Sequence, residues 1–287
     1  MKISWSPTAW CDGQLVPLTG VVVPALSLGA AYGLGLFETL RAYRGRPFAL
    51  ALHLDRLARS AAELGLSCPW LAEPSTIDHA VHAVLMANGL RDAAVRITLT
   101  AEGTSLDEPA ASLLITARAF DGYPREWYDR GVSLAVAPWR RCPDDLHVAH
   151  KSANYLTCLF ARSWARENGA DEALLLNCHG RVAEGSVSNV FAVDGAGVVV
   201  TPPVSEGLLP GVTRAIVIDL LRQAGVAVDE RPLSLDELKS GREAFITNSL
   251  MEIVPIREVD GQRIANCPGE VTALAMREYR RLLEEAT

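Results

Sequence analysis

No stretch of eighteen apolar residues occurs in this chain, which excludes a membrane-spanning helix. The opening MKISWSPTAWCDGQ has no apolar core behind its lysine, so no secretory leader is expected and the protein is expected in the cytoplasm. Cys11, Cys68, Cys142, Cys158, Cys178 and Cys267 stand singly, without CxxC pairing or zinc-like spacing, and are read as reduced and structural. Basic residues are in deficit, 27 Lys and Arg against 34 Asp and Glu, for a net charge of −7. That balance offers no basic face to offset phosphate charge, so neither nucleic acid nor an anionic membrane is an expected partner. Repeats and low-complexity segments are missing as well. What is present is the composition of a packed globular protein, 49% apolar and 21% charged over 287 residues, whose expected ligand is a small molecule.

That length favours two domains over one. FETLRAYRGRPFAL alternates apolar and polar residues around Arg-Gly-Arg-Pro and reads as a β-hairpin. In HLDRLARSAAELGL, Leu54, Leu57, Ala61 and Leu64 recur at helical steps and Gly65 marks the end, with His53 and Arg56 on another face. STIDHAVHAVLMANGL is a second amphipathic helix with Ser75 as its expected N-cap, and AAVRITLT and ASLLITARAF read as strands. Residues 1–120 thus form a small α+β domain, and the polar, turn-rich 121–128 an interdomain linker. Residues 129–287 form a larger α+β domain, containing the strand VSLAVAPW, Lys151, a helix over 153–168 ending at Gly169, and the strands EALLLN, NVFAV and GVVVTP. The helix VTRAIVIDLLRQAG and the strands EAFITNS and EIVPIREV complete it. Without regular βαβ alternation, α+β is favoured over a doubly wound sheet.

Lysines on loops are ordinarily solvated. Lys151, however, lies between an apolar strand and a half-apolar helix, where partial desolvation would lower its pKa and free the amine to attack a carbonyl. GRVAEGSVSNVFAV puts Glu184, Ser186, Ser188 and Asn189 between two strands, an ordinary turn or else a carboxylate poised to hold a heterocyclic nitrogen protonated. Pro210-Gly211 precedes a helix with Thr213 in its first turn, a plain cap or an anion cradle, and Thr247, Asn248 and Ser249 repeat the hydroxyl-rich pattern. Together with Arg56 these make the inventory of a pyridoxal phosphate site: imine former, ring-nitrogen partner and phosphate clamp. His147 and His150 in HVAH lack a third ligand at suitable spacing, so no metal is expected. Gly33 and Gly35 lack the full GxGxxG context of a nucleotide loop.

In the order HKSANYL, DEALLLNCHGRVAEGSVSNVF, TPPVSEGLLPGVTR and ITNSLMEIVPI, preceded by YGLGLFETLRAYRGRPFALALHLDRL, the chain resembles the class IV aminotransferase family of fold-type IV pyridoxal phosphate enzymes. The match runs from about residue 30 to 262. The resemblance implies a two-domain fold like that of D-amino-acid aminotransferase, pyridoxal 5'-phosphate as cofactor, and a homodimer. It implies that Lys151 bonds covalently to the cofactor aldehyde and shuttles the substrate proton, and that Glu184 pairs the pyridine nitrogen. Arg56, Gly211, Val212 and Thr213, with Thr247 or Asn248, would hold the phosphate; Ser188 and Asn189 would line the ring, and Tyr155 would lie near the phenolic oxygen.

Three branches compete. The asparagine three residues after Lys151 and the TNS stretch depart from the usual branched-chain aminotransferase pattern, whereas Thr39 and Asn248 match aminodeoxychorismate lyases. The leading expectation is therefore 4-amino-4-deoxychorismate lyase, giving 4-aminobenzoate and pyruvate in folate biosynthesis. The alternatives are an aminotransferase for D- or branched-chain amino acids with 2-oxoglutarate and, more remotely, a non-catalytic binding protein on the same scaffold. Against the lyase stands AEGTSLDEP, which has no arginine to meet a dianionic substrate. Candidate substrate residues are Phe37, Thr39, Arg41 and Arg96, with Arg140 as a further carboxylate partner. Trp5, Trp10 and Trp127 suit either a core or a subunit interface.

Overall fold

The computed structural model describes residues 4–107 and 109–287. It divides into two units, Met1–Gly122 with His150–Asn154 and Ala286–Thr287, and Tyr123–Ala149 with Tyr155–Glu285.

The first unit is built on a six-stranded antiparallel sheet in the order β2-β1-β6-β5-β3-β4. Its strands are β1 (Thr8–Cys11), β2 (Gln14–Pro17), β3 (Gly35–Tyr43), β4 (Arg46–Pro47), β5 (Ala93–Ala101) and β6 (Ala111–Ala119), and its helices α1 (Leu28–Tyr32), α2 (Leu50–Glu63) and α3 (Pro74–Ala87). Side chains alternate across a strand, so Leu36, Leu40 and Ala42 of β3 join Val95, Ile97 and Leu99 of β5 and Leu113, Ile115 and Ala117 of β6 on one face. Leu54, Leu57 and Ala61 of α2 and Ile77, Val81 and Val84 of α3 cover that face. Each such Val, Leu or Ile side chain contributes about 1.5–3 kcal/mol on burial. The hairpin turns on Arg44 and Gly45, both at positive φ, which fits a two-residue loop between twisted strands.

Helix α3 departs from expectation at its start. Pro74 is its first residue and Glu73 the cap, with no side-chain cap bond, so Ser75 lies inside the helix. A proline at that position loses no hydrogen bond and has the right φ already.

The second unit holds β7 (Val132–Arg141), β8 (Glu172–Asn177), β9 (Val182–Gly185), β10 (Asn189–Val193), β11 (Val199–Thr201), β12 (Val228–Glu230), β13 (Glu243–Asn248), β14 (Glu252–Val259) and β15 (Gln262–Arg263). The sheet runs β12-β11-β10-β13-β14-β7-β8-β9, with β15 beside β14. The β11–β12, β14–β7 and β7–β8 pairs are parallel and the others antiparallel. Its helices are α4 (Arg125–Arg130), α5 (Leu156–Glu167), α6 (Val212–Gln223), α7 (Leu235–Ser240) and α8 (Glu270–Ala286). Two βαβ units, β7-α5-β8 and β11-α6-β12, sit among antiparallel pairs, so the sheet is mixed and not doubly wound, in keeping with the α+β organisation expected from the sequence.

Two segments differ from the sequence-based boundaries. Residues 121–128, expected as a linker, run into α4, and Tyr123, Trp127 and Tyr128 pack against the second unit's core, with Trp127 stacked on Tyr123 at 4.9 Å. Apolar ring area outweighs the polar residues between them. Lys151, expected within the later domain, lies in the five-residue stretch grouped with the first unit, because backbone hydrogen bonds tie it to β3. The helix expected from 153 consequently begins at Leu156. Among the tryptophans, Trp10 is buried edge-on to Trp70 at 5.2 Å, a core role.

Candidate active site

Lys151 is held by main chain on both sides. Phe37 N–H donates to the Lys151 carbonyl and Ala153 N–H to the Gly35 carbonyl, each at 2.8 Å, and Ser152 bridges Leu36. These bonds extend the free edge of β3, where β4 reaches only Ala42 and Tyr43. Gly35 is required there, since a Cβ would come within 2.7 Å of the Leu99 carbonyl oxygen. The half-buried lysine lays its Nζ 4.7 Å from the centre of the Phe37 ring.

Phe37, Thr39 and Arg41 alternate onto the face of β3 opposite the core, and Arg96 pairs with Thr39 across β5. The sheet therefore brings all four substrate candidates to one face. Arg96 lays its guanidinium 3.8 Å from the Phe37 ring and donates to Thr98 Oγ1. Arg41 sits farther along, over Tyr43 at 4.5 Å and Phe120 at 5.2 Å.

Arg56 lies beneath the sheet with two other polar side chains. Its Nε donates to Glu38 Oε1 at 2.8 Å and its Nη2 to Oε2 at 2.6 Å, while His53 Nδ1 is 2.7 Å from the same oxygen. All three are at least 95% buried. Burial alone would push the Glu38 carboxyl up, but the Arg56 charge and the His53 and Arg56 hydrogen bonds outweigh it and hold it at about 2. Burial pulls the His53 imidazole down against the Glu38 hydrogen bond, so it is neutral at pH 7.

The second unit assembles the remaining candidates. Glu184 is buried on β9 and meets Arg141 Nη1 at 2.6 Å through Oε1. Its Oε2 accepts from Leu209 N–H at 3.0 Å and Asn189 Nδ2 at 3.4 Å. Asn189 Nδ2 also donates to the Leu209 carbonyl at 2.9 Å, so this amide braces Glu184. Tyr155 donates its hydroxyl to the Ser186 carbonyl at 3.3 Å; burial, then the nearby Cys158 and Glu184, raise its phenol well above the usual range. Ser186 is itself fixed by buried Glu172, whose Oε1 accepts from its Oγ and, at 3.1 Å, from its N–H. Burial pushes the Glu172 carboxyl up despite those bonds.

Gly211 caps helix α6 with no side-chain cap bond, leaving the first-turn amides around Val212 and buried Thr213 without an intrahelical acceptor. A Cβ at Gly211 would overlap Asn189 Oδ1. Ser188 Oγ and Thr247 Oγ1 are buried without a hydrogen-bond partner. Unsatisfied buried hydroxyls are costly in a closed protein and are accounted for by a ligand that accepts from them. An uncapped helix start, two orphaned hydroxyls and a braced carboxylate fit the phosphate and ring of the expected cofactor. Asn248 donates through Nδ2 to the Val187 carbonyl at 2.9 Å, and its Oδ1 accepts from Leu250 and Met251 N–H at the β13–β14 turn, so its side chain ties that turn to the segment before β10.

Arg141 and Glu172 were not singled out in the sequence. One lies in a run of two arginines and the other opens an apolar strand, and only the fold turns each toward the Glu184 turn. All six cysteines are free. Among the described residues no group of three or more His, Cys, Asp or Glu could hold a metal ion, and no helix is long and apolar enough to cross a membrane.

Comparison with known families decides what this inventory belongs to. Residues 35–259 match the model of the class IV aminotransferases. The chain belongs to that family. A putative branched-chain-amino-acid aminotransferase of Methanocaldococcus jannaschii is 37% identical over 275 residues, 94% of each chain. A branched-chain aminotransferase of Thermoproteus uzoniensis, solved with norvaline, superposes with a TM-score of 0.89 at 35% identity, over 98% of this chain and 96% of that one. The Thermobaculum terrenum branched-chain aminotransferase in its PLP form gives 0.87 at 27% identity, over 99% and 95%. This class IV aminotransferase is thus a fold-type IV enzyme, a transaminase with pyridoxal 5'-phosphate as cofactor. The relatives named here are branched-chain aminotransferases, which favours the alternative weighed from the sequence over the lyase.

Proposed function

We propose that the enzyme transfers the amino group of aliphatic, branched-chain amino acids to 2-oxoglutarate. The observation that carries this reading is the Phe37 ring with the Lys151 amine at 4.7 Å and the Arg96 guanidinium at 3.8 Å. An apolar ring beside the reacting amine suits an aliphatic side chain, and a single neighbouring guanidinium suits the distal carboxylate of the acceptor. A dianionic chorismate derivative would want more. Arg41 is stacked on Tyr43 and Phe120, and the loop over 102–107 contributes Glu102 and Asp107 but no arginine.

The bound cofactor supplies an electron sink for the negative charge that develops at the substrate α-carbon. Lys151 Nζ holds the proton taken from that carbon and returns it, as a general acid and base. Glu184, braced by Arg141, Asn189 and the Leu209 amide, presents a fixed carboxylate to the ring nitrogen. Thr213, Thr247 and the α6 amides would hold the phosphate, a role the resemblance gives to Arg56 as well, and Tyr155 would serve the phenolic oxygen. Thr39 borders the substrate on the Phe37 face, and Ser188 lines the ring.

Coupled assays with L-leucine, L-isoleucine, L-valine, D-alanine and 4-amino-4-deoxychorismate test the assignment. Keto-acid release from the three branched donors with 2-oxoglutarate, with kcat/KM at least about tenfold above the others, is the expected result. Formation of 4-aminobenzoate alone would restore the lyase. A homodimer is also proposed, in the cytoplasm, and sedimentation showing a monomer at micromolar concentration would remove it.

A further inference from the structure

Helix α2 carries two stripes, one apolar and one polar. Leu54, Leu57 and Ala61 face the core, and one residue behind each runs a second row, His53, Arg56 and Ser60, continued by Glu63. Steps of three and four place these four on one side of the helix, and the first three are buried. The first half of the row grips β3 through Glu38. The second half grips the residue just before the lysine. His150, 8% exposed, hydrogen-bonds Ser60 Oγ through Nδ1 at 3.0 Å, and its Nε2 is 3.6 Å from Glu63 Oε2. Glu63 is largely exposed and adds little, whereas the Ser60 bond is buried.

We infer that His150 is a positioning residue for Lys151. By docking on Ser60 it locks the lysine segment to the same rigid helix that carries Arg56, so α2 fixes the amine and the phosphate-binding guanidinium in one register. The bonds from Phe37 and Gly35 grip the segment from the strand side, and His150 grips it from the helix side. A side chain with a polar atom at the δ position is needed, which distinguishes this role from simple filling of space. The inference rests on the proposed role of Lys151, and the test separates the two.

The experiment uses the full-length protein and the variants His150→Ala, His150→Asn and Ser60→Ala. In the apoprotein, amide hydrogen exchange over residues 150–154 is followed by mass spectrometry. In the holoenzyme, kcat and KM are measured, and borohydride reduction with peptide mapping gives the yield of adduct at Lys151. Both His150→Ala and Ser60→Ala are expected to speed exchange of the segment and to lower kcat and the rate of covalent loading roughly 10- to 100-fold, with donor KM nearly unchanged, because misplacing a reacting group by about 1 Å has that effect. His150→Asn, which keeps a donor within reach of Ser60, is expected to recover most of both. Parental exchange and kcat in a folded His150→Ala or Ser60→Ala overturn the proposal, as does His150→Asn behaving like His150→Ala. Should His150→Ala not fold, the Ser60→Ala and His150→Asn pair decides alone. A parent enzyme with no adduct at Lys151 would defeat the proposed function, while the exchange data would still report on the clamp.

Discussion

At Arg141 a single side chain sets the charge environment of Glu184, the carboxylate proposed to meet the ring nitrogen. Its Nη1 lies 2.6 Å from Glu184 Oε1, and both side chains are about nine-tenths buried. Removing one partner of such a pair leaves the other charge stranded, at about 3–5 kcal/mol. Arg141→Met is therefore expected to lower kcat at least about tenfold and to reduce the urea midpoint, whereas Arg141→Lys, which keeps the charge but not the fork, should fall between it and the parent. An Arg141→Met enzyme with parental kcat would show that Glu184 does not depend on this cation. The candidate site residues Lys151, Glu184, Thr213 and Thr247 could be singled out in the sequence because each stands in an ordered motif. Their supports could not. Arg141, Glu172 and Glu38 are charged residues inside strands, where a pattern of alternation cannot tell a buried partner from a solvated one.

At the scale of elements, apolar periodicity located the longer strands and the helices α2, α3, α5 and α6, since burial enforces spacing of two or about 3.6, but the short strands β1, β2 and β12 and the helices α1, α4, α7 and α8 were not read from it. It was accurate for α2, where Leu54, Leu57 and Ala61 are buried as expected. The sequence put His53 and Arg56 on another face of that helix but could not show that this face is buried: His53, Arg56 and Ser60 are all enclosed, because Glu38 and His150 supply their partners. Boundaries failed where tertiary bonds won over propensity. Residues 151–153 are tied by backbone hydrogen bonds to the otherwise unpaired edge of β3, so α5 starts later than its own sequence allows. Residues 125–130 are helical because Trp127 and Tyr128 find apolar surface beneath them.

For the whole molecule, the buried charges set the response to acid, and the sign follows from which state binds protons more readily. Glu38 is held at about 2 against an ordinary value of 4.5, so the unfolded chain takes up a proton there before the folded one does. The stability this contributes is complete above pH 4.5 and is lost as the pH falls through about 2. By the conversion of 1.36 kcal/mol per unit it amounts to ~3 kcal/mol. His53 acts earlier and in the same direction: its folded value lies below 6.5, so stability begins to decline once the unfolded imidazole protonates. Glu172 opposes both, since its raised carboxyl is relieved of a burial penalty as it protonates. Urea midpoints measured from pH 7 to 2.5 should therefore fall slowly at first and steeply below pH 4.5. In Glu38→Gln the midpoint at pH 7 should be lower, because Arg56 loses its carboxylate, and the loss between pH 4.5 and 2.5 should shrink. Equal acid slopes for parent and variant would mean that the carboxylate gripping Arg56 and His53 is not what acid removes first.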